Sequence, residues 1–449
     1  MRIALVAPQS NSPRSRDAAG PGQRVSSLAE ALAGLGHQVT VYAPKDAPAL
    51  PGKATLAPGA TVEHLPAGPH GRAAGDAAGL DIPAFSDHLA RRWRQDPPDI
   101  AHAHFWTGGL AALAGARGLN LPVVQTFHSL GTLHANGSHR PADVSRPARG
   151  SGPARRPAPP ARTSARAAGR QRDTGRQDNG HQLARIRLEV CLARNANAVL
   201  ATSSEQMTKL AGLGVPRASI RVVPCGVDTG RFAPEGPVAK RNGQPRLLAV
   251  RQSAADDDGL DIVIRALAEV PGAEMVIAGG PSGSGPDADP ANQDLARLAG
   301  DLGVAGRITF TGDVSRTHLP ALLRSADLLV SGAWEDPFGT VALQAMACGT
   351  PVAASAEGMV GDAVIDGTTG ILVPPRQPSV LARRIRHLLT SPLQMDAFSV
   401  AAVDRARSRY SWDRIGRETV RAYERCLPHQ FPAVKDEPEP EDTDSSEEG

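Results

Sequence analysis

Ser331 to Pro351 read SGAWEDPFGTVALQAMACGTP, and the fold follows from how that stretch is punctuated. The apolar run Leu328-Leu329-Val330 enters it as a buried strand, and Pro337-Phe338-Gly339 breaks the strand. Thr340 to Cys348 then reads as a helix with Val341, Ala345 and Cys348 on one face. Gly349 stops it, and Pro351-Val352-Ala353-Ala354 opens the next strand. A strand, a Gly turn and a helix N-terminus form an anion site, because the unpaired amides and the helix dipole both point into the loop.

The same alternation runs outward in both directions. Upstream of the stretch lie the expected strand Leu247–Val250, helix Leu260–Ala268, strand Glu274–Ala278, helix Leu295–Leu302, strand Ile308–Thr311 and helix Leu319–Ser325. A first series of the same kind opens the chain. It comprises Arg2–Pro8, the helix Val25–Leu35, Gln38–Ala43, Thr61–Leu65, the helix Phe85–Arg94, Asp99–His104, the helix Gly108–Ala114 and Pro122–His128, and, after a long interruption, the helix Leu183–Arg194 and the strand Ala198–Thr202. Strands alternating with helices predict an α/β chain of two doubly wound, Rossmann-like domains facing across a cleft. We expect the first over 1–225, the second over 226–410, and a helix over 411–428 returning to the first. The loop after the first strand lacks G-x-G-x-x-G, which argues against a nicotinamide site.

The net charge of +3 conceals a segregation. Arg140 to Gly180 carries ten arginines against three aspartates, while Lys435 to Gly449 carries one lysine against eight acids. The rest is close to neutral, so no nucleic-acid-binding surface is implied. The segment 136–180 and the tail 429–449 are poor in large apolar residues and are expected to be disordered. Cys191, Cys225, Cys348 and Cys426 lie too far apart for a metal motif and read as buried thiols. The apolar run Ile3–Ala7 is too short for a signal-peptide core, and no run approaches the ~18 residues of a membrane span. A cytoplasmic protein is expected.

The stretch 334–352, WEDPFGTVALQAMACGTPV, resembles the donor-site signature of group-one (family four) retaining glycosyltransferases of the GT-B fold. The resemblance extends to Gly20-Pro21-Gly22-Gln23, AHAHFW at 101–106, TFHSLG at 126–131 and ATSSEQ at 201–206. It continues through VVPCGVDTGRF at 222–232, AGGP at 278–281 and DGTTGILVPP at 366–375, so it covers nearly the whole chain outside the insertion and tail. It implies transfer of a hexose or similar sugar from a nucleotide-diphosphate donor (UDP or GDP) to an acceptor the motifs do not identify, with retention and without a metal or other cofactor.

The resemblance also assigns residues. Gly22, Gly339, Thr340, Val341 and Gly358 would supply backbone donors to the diphosphate, Gln344 would hold the ribose, and His128 would face the transferred sugar. Asp336, or Glu335 through a loop shift, would bind the sugar hydroxyls where the family has Glu, and Arg251 would supply a cation after its strand. His102 and His104 either join this site or pack inside the domain. His134 stands where some relatives that use phosphorylated acceptors have Lys. Several positions depart from the family pattern: Pro21 and Met359 replace glycines, Gln344 replaces Glu, Gln252 or Ser253 stands at the Arg position, and Asp258 stands at the Lys position. These departures leave a second reading open, a catalytically impaired relative that binds a nucleotide, a glycan or a partner protein.

The Arg-rich segment is either a surface insertion or an electrostatic tether, to this chain's own acidic tail or, through 140–176, to an anionic membrane as a peripheral contact. Under the membrane reading, deleting 140–176 lowers co-sedimentation with anionic liposomes. Unchanged co-sedimentation rejects the membrane reading.

Overall fold

The computed structural model describes residues 1–8, 21–45, 50–66, 80–131, 182–251, 259–280, 290–332 and 339–427. Among these the chain forms two sheets, each from its own stretch of sequence. The first holds β1 (Arg2–Val6), β2 (Gln38–Pro44), β3 (Lys53–Ala57), β4 (Ala60–Leu65), β5 (Ile100–His104), β6 (Val123–Thr126), β7 (Ala198–Ala201) and β8 (Ile220–Val222). Their order is β3-β4-β2-β1-β5-β6-β7-β8, parallel throughout except for the β3–β4 hairpin. Around this sheet lie α1 (Pro21–Gly34), α2 (Ile82–Gln95), α3 (Phe105–Gly115), α4 (182–195) and α5 (Ser204–Gly212). Ile3, Ala4, Leu5 and Val6 are all buried, as a strand covered on both faces requires.

The second sheet holds β9 (Arg246–Val250), β10 (Glu274–Ala278), β11 (Ile308–Gly312), β12 (Leu328–Ser331), β13 (Val352–Ser355) and β14 (Gly370–Val373), ordered β11-β10-β9-β12-β13-β14. Its helices are α6 (Leu260–Ala268), α7 (Pro290–Asp301), α8 (Leu319–Arg324), α9 (Thr340–Ala347), α10 (Gly358–Ala363), α11 (Pro378–Leu389) and α12 (Pro392–Tyr410). The strand order runs outward in one direction from β9 and then reverses, so a switch point falls between β9 and β12. The first sheet has the equivalent point between β1 and β5. Crevices beyond the carboxyl ends at such points are where this architecture takes ligands.

The expected elements are present, with these differences. The short strands β3, β8 and β14 were not anticipated, because none carries a long apolar run. Gly22, expected in a loop, sits in the first turn of α1, and the expected loop around Gly358 begins the helix α10. Helix α9 is buried on every side rather than on one face, since β13, α8, α10 and α12 all pack against it. The 136–180 insertion and the 429–449 tail lie outside the described residues. No helix among those residues is long and apolar enough to cross a membrane.

The chain crosses from the first sheet to the second after β8 and returns between α12 and α13 (Trp412–Glu424). The two crossings touch. Val227 N–H donates to the Tyr410 carbonyl at 2.8 Å, and Trp412 lies so close to Gly226 that a Cβ there would meet the indole at 2.5 Å. Helix α13 then buries Ile415, Gly416, Thr419, Ala422 and Tyr423 on one face, with Gly416 against Ala31 and Leu35 of the first domain.

The end of α13 is tied to the first sheet by a polar relay. Tyr423 Oη lies 2.7 Å from His102 Nδ1, His102 Nε2 lies 2.8 Å from Thr126 Oγ1, and Thr126 Oγ1 lies 3.2 Å from the Leu200 carbonyl. A carbonyl only accepts, so the arrangement satisfying every member runs one way: Tyr423 O–H to His102, His102 Nε2–H to Thr126, and Thr126 O–H to Leu200. Replacing Tyr423→Phe strands His102 Nδ1 in the core and is expected to cost about 1–3 kcal/mol. A lower urea midpoint at unchanged slope shows this; a midpoint equal to that of the parent chain refutes the tie.

Candidate active site

At the second switch point the loops after β9 and β12 are in contact, since a Cβ on Gly332 would collide with the Gly259 carbonyl. The loop after β12 ends at Gly339, which caps α9 in the left-handed region with φ 54°. Leu343 N–H makes the first intrahelical bond, to the Gly339 carbonyl, so the amides of Thr340, Val341 and Ala342 precede any intrahelical acceptor. Arg24, on the first turn of α1, reaches across and donates from Nη1 to Thr340 Oγ1 at 3.2 Å.

A cavity of about 460 Å³ opens between the two sheets beside this contact. Gln23, Arg24 and Glu30 of α1, the β3–β4 hairpin, Asp228, Arg231, Arg316, Thr340 and Gln344 all line it. Gln344 is only 5% exposed, and its Oε1 has no hydrogen-bond partner among the described residues. At the far end Arg231 and Arg316 face Glu30 and Asp228. Burial and the nearby Asp228 charge raise the Glu30 carboxyl, while burial and Arg231 lower the Arg316 guanidinium.

A second cluster sits at the carboxyl ends of β5 and β6. His128, two residues beyond β6, has its Nε2 3.0 Å from Nδ1 of His104, the last residue of β5. Phe105 stacks on His128 at 4.1 Å between ring centroids, and its backbone adopts φ 64°, an expensive conformation for an aromatic residue. Burial holds all three imidazoles neutral: His102 and His128 fall well below the usual range, and His104 drops to about 3. His102, held in the relay to Tyr423 and Thr126, lines the same cavity of about 50 Å³ as Arg24, His104 and His128.

The expected site residues are thus distributed unevenly. Thr340 and Gln344 line the large cavity, and His128 joins them through Arg24. Val341 is buried on α9, and Gly22 precedes Gln23 and Arg24 on α1. Arg251 lies at the end of β9 but lines neither cavity; its Nη1 donates to Asn292 Oδ1 at 3.1 Å. The Gly358 amide donates to Glu205 Oε2 at 2.6 Å, a contact between the two domains. Its counterpart runs the other way, from Ser204 N–H to Asp362 Oδ2 at 2.7 Å, so each domain sets a carboxylate on the other's helix start. Burial alone would raise Glu205, but Lys209 and the Gly358 amide hold it below the ordinary carboxylate value. Glu335, Asp336, His134, Gln252, Ser253 and Asp258 lie outside the described residues.

Arg24 and the Glu205–Asp362 exchange were missed. Arg24 directly follows the Gly20–Gln23 stretch, so its position was readable, but its partner Thr340 lies 316 residues away.

Two doubly wound domains around a cleft, with a glycine-capped helix start at the switch point, define the GT-B fold. Two family models divide the chain between them: Glycosyltransferase Family 4 over residues 18–231 and Glycosyl transferases group 1 over residues 236–405. A D-inositol 3-phosphate glycosyltransferase of Mycolicibacterium paratuberculosis is 31% identical over 95% of this chain and 90% of its own. One from Catenulispora acidiphila is 29% identical over 95% of both. The fold matches sucrose-phosphate synthase of Thermosynechococcus elongatus, with a TM-score of 0.75 at 24% identity over 94% of this chain and 98% of that one. It also matches Anabaena HepE in complex with UDP-glucose, with a TM-score of 0.64 at 17% identity over 94% and 98%. The chain belongs to the group 1 glycosyltransferases.

The neutral histidines give the fold a pH dependence with a definite sign. In the unfolded chain an imidazole takes its proton near pH ~6.5, while these three resist protonation until far lower pH. The unfolded state therefore binds more protons as pH falls, and stability drops below about pH 6.5, on the order of 1 kcal/mol per histidine per pH unit. The melting temperature at about pH 5.5 should lie below that at about pH 7.5, and the gap should narrow in His104→Asn. Equal midpoints at the two pH values contradict the neutral assignment.

Proposed function

We propose that the protein transfers a hexose or similar sugar from a UDP- or GDP-sugar to a hydroxyl of a polyol monophosphate, with retention at the anomeric carbon. Gln344 is the observation that carries this. A buried carboxamide oxygen without a partner, lining a cleft cavity beside a helix start, calls for a hydroxyl donor such as a ribose diol. The α9 start would take the diphosphate through the amides of Gly339, Thr340 and Val341, with the Arg24 guanidinium beside it. Negative charge grows on that diphosphate as the bond to the sugar breaks, where preorganised donors contribute most. His128 would face the transferred sugar, Asp336 would bind its hydroxyls, Gly22 would sit across the cleft, and Arg251 would supply the cation at the end of β9.

The names of the curated relatives make inositol 3-phosphate the first acceptor to try. Four cysteines without disulfides and a nucleotide-sugar donor suit a cytoplasmic setting. A second reading, a relative that binds without turnover, draws on Gly358, whose amide is already engaged by Glu205.

Incubating the chain with UDP- and GDP-hexoses, with inositol or inositol 3-phosphate, tests this by nucleotide release and by NMR of the product anomer. Turnover with a retained anomer is expected. Measurable UDP binding with no turnover for any pair establishes the binding reading instead. Gln344→Leu should raise the donor KM about tenfold, equivalent to roughly 1.4 kcal/mol. Equal KM for Gln344→Leu and the parent removes Gln344 from the donor site.

A further inference from the structure

We propose that His64 seats the acceptor in the cleft, with its Nε2 accepting a hydrogen bond from a ring hydroxyl of the polyol. The inference deepens the proposed function and rests on its reading of the acceptor as a polyol monophosphate.

The alternation of β4 sets His64 on the side of the cavity. Glu63 and Leu65 face α2, where Glu63 pairs with Arg92 at 3.0 Å and Leu65 joins the cluster of Phe85 and Leu89. Val62 belongs to the cluster of Val25 and Leu28 on α1, so His64, two residues further on, shares that face. It is the next-to-last residue of the strand, at the carboxyl end where this architecture takes ligands, and it lines the cavity of about 460 Å³.

The ring is held at the start of the hairpin by two bonds. Its Nδ1 lies 2.8 Å from the Pro51 carbonyl, and the His64 backbone N–H donates to the Gly52 carbonyl at 2.8 Å. A carbonyl only accepts, so Nδ1 carries a proton. In the neutral imidazole that leaves the lone pair on Nε2. Nε2 has no hydrogen-bond partner among the described residues, and it is the ring atom left to bond a molecule in the cavity. The residue is only 6% exposed, so the acceptor atom is fixed before any ligand arrives.

The rest of the hairpin wall is largely apolar, with Leu50, Ala54, Leu56 and Val62 beside the single hydroxyl of Thr55. A cyclitol or sugar ring suits such a wall, because it offers C–H faces as well as hydroxyls, and one fixed acceptor then selects which hydroxyl is seated. The groups assigned to the nucleotide lie on α9 of the second domain, whereas His64 stands on the first. It therefore faces the molecule opposite the nucleotide, which is the acceptor. A purely structural role, pinning Pro51, accounts for Nδ1 and leaves Nε2 without a use.

Two substitutions separate the ligand contact from that tie. His64→Asn sets an amide N–H where Nδ1–H stood, keeping the bond to Pro51, and leaves nothing at Nε2. His64→Gln carries a carboxamide oxygen out to the Nε2 position. We expect His64→Asn to raise the KM for inositol 3-phosphate about tenfold while the KM for the sugar donor stays within about twofold, and His64→Gln to recover most of the loss. An inositol 3-phosphate KM in His64→Asn equal to that of the parent overturns the proposal, as does an equal rise in both KM values.

The ¹⁵N spectrum of the labelled parent chain needs no turnover, with the His64 signals assigned by their loss in His64→Gln. A proton on Nδ1 and an Nε2 signal that moves when inositol is added in the presence of UDP support the assignment. If they occur without transfer from any sugar donor, the hydroxyl site stands and the transfer reading alone falls. A proton on Nε2 overturns the proposal. So does an Nε2 signal that ignores inositol, or one that moves with inorganic phosphate alone, since the ring would then meet an anion. If His64→Asn fails to fold, the parent spectrum still decides.

Discussion

The backbone bond from Val227 to Tyr410, with Trp412 pressed on Gly226, joins the two places where the chain passes between its domains. With both crossings bonded to each other, Gly226, Val227 and Trp412 also form part of the lining of the large cavity between the domains. Apolar packing concentrates at this attachment and along α13. Across the mouth the contacts are polar: Arg24 to Thr340, Ser204 to Asp362 and Gly358 to Glu205. Each such bond contributes roughly 0.5–1.5 kcal/mol net, which an arriving anion or hydroxyl can exchange for its own. The domains are thus joined by apolar packing at the crossings and along α13, and by polar contacts across the cleft.

The two walls of the cleft present polar groups of different kinds. On the second domain the donors are backbone amides at a glycine-capped helix and a neutral carboxamide. On the first they are neutral imidazoles under an apolar roof and one arginine that spans the gap. Arg231 and Arg316 are matched by Glu30 and Asp228, so the far end of the cavity carries little net charge. Fixed dipoles of this kind need no reorganisation when charge develops beside them, which suits a reaction whose leaving group gains negative charge.

Much of this was legible in the sequence, for an identifiable reason. Buried parallel strands read as continuous apolar runs, and each helix between them has its own stop at Gly or Pro, so β9, α6 and β10 appear where the pattern put them. The short strands β3, β8 and β14 gave no such signal, because sheet pairing rather than composition makes them strands. For the site, position in a motif located His128, Thr340 and Gln344. Their partners could not be read locally: His102 meets Tyr423 across 321 residues and Gly358 meets Glu205 across 153. Helix α9 looked one-faced because its sequence does not reveal that four elements enclose it.

Burial on every side of α9 bears on why a glutamine can stand at 344. A carboxylate there, 5% exposed, would need a cation or several donors to offset its desolvation. Arg24, which lines the same cavity, donates to Thr340 at the helix start. A neutral Gln344 meets that burial without needing a counter-ion.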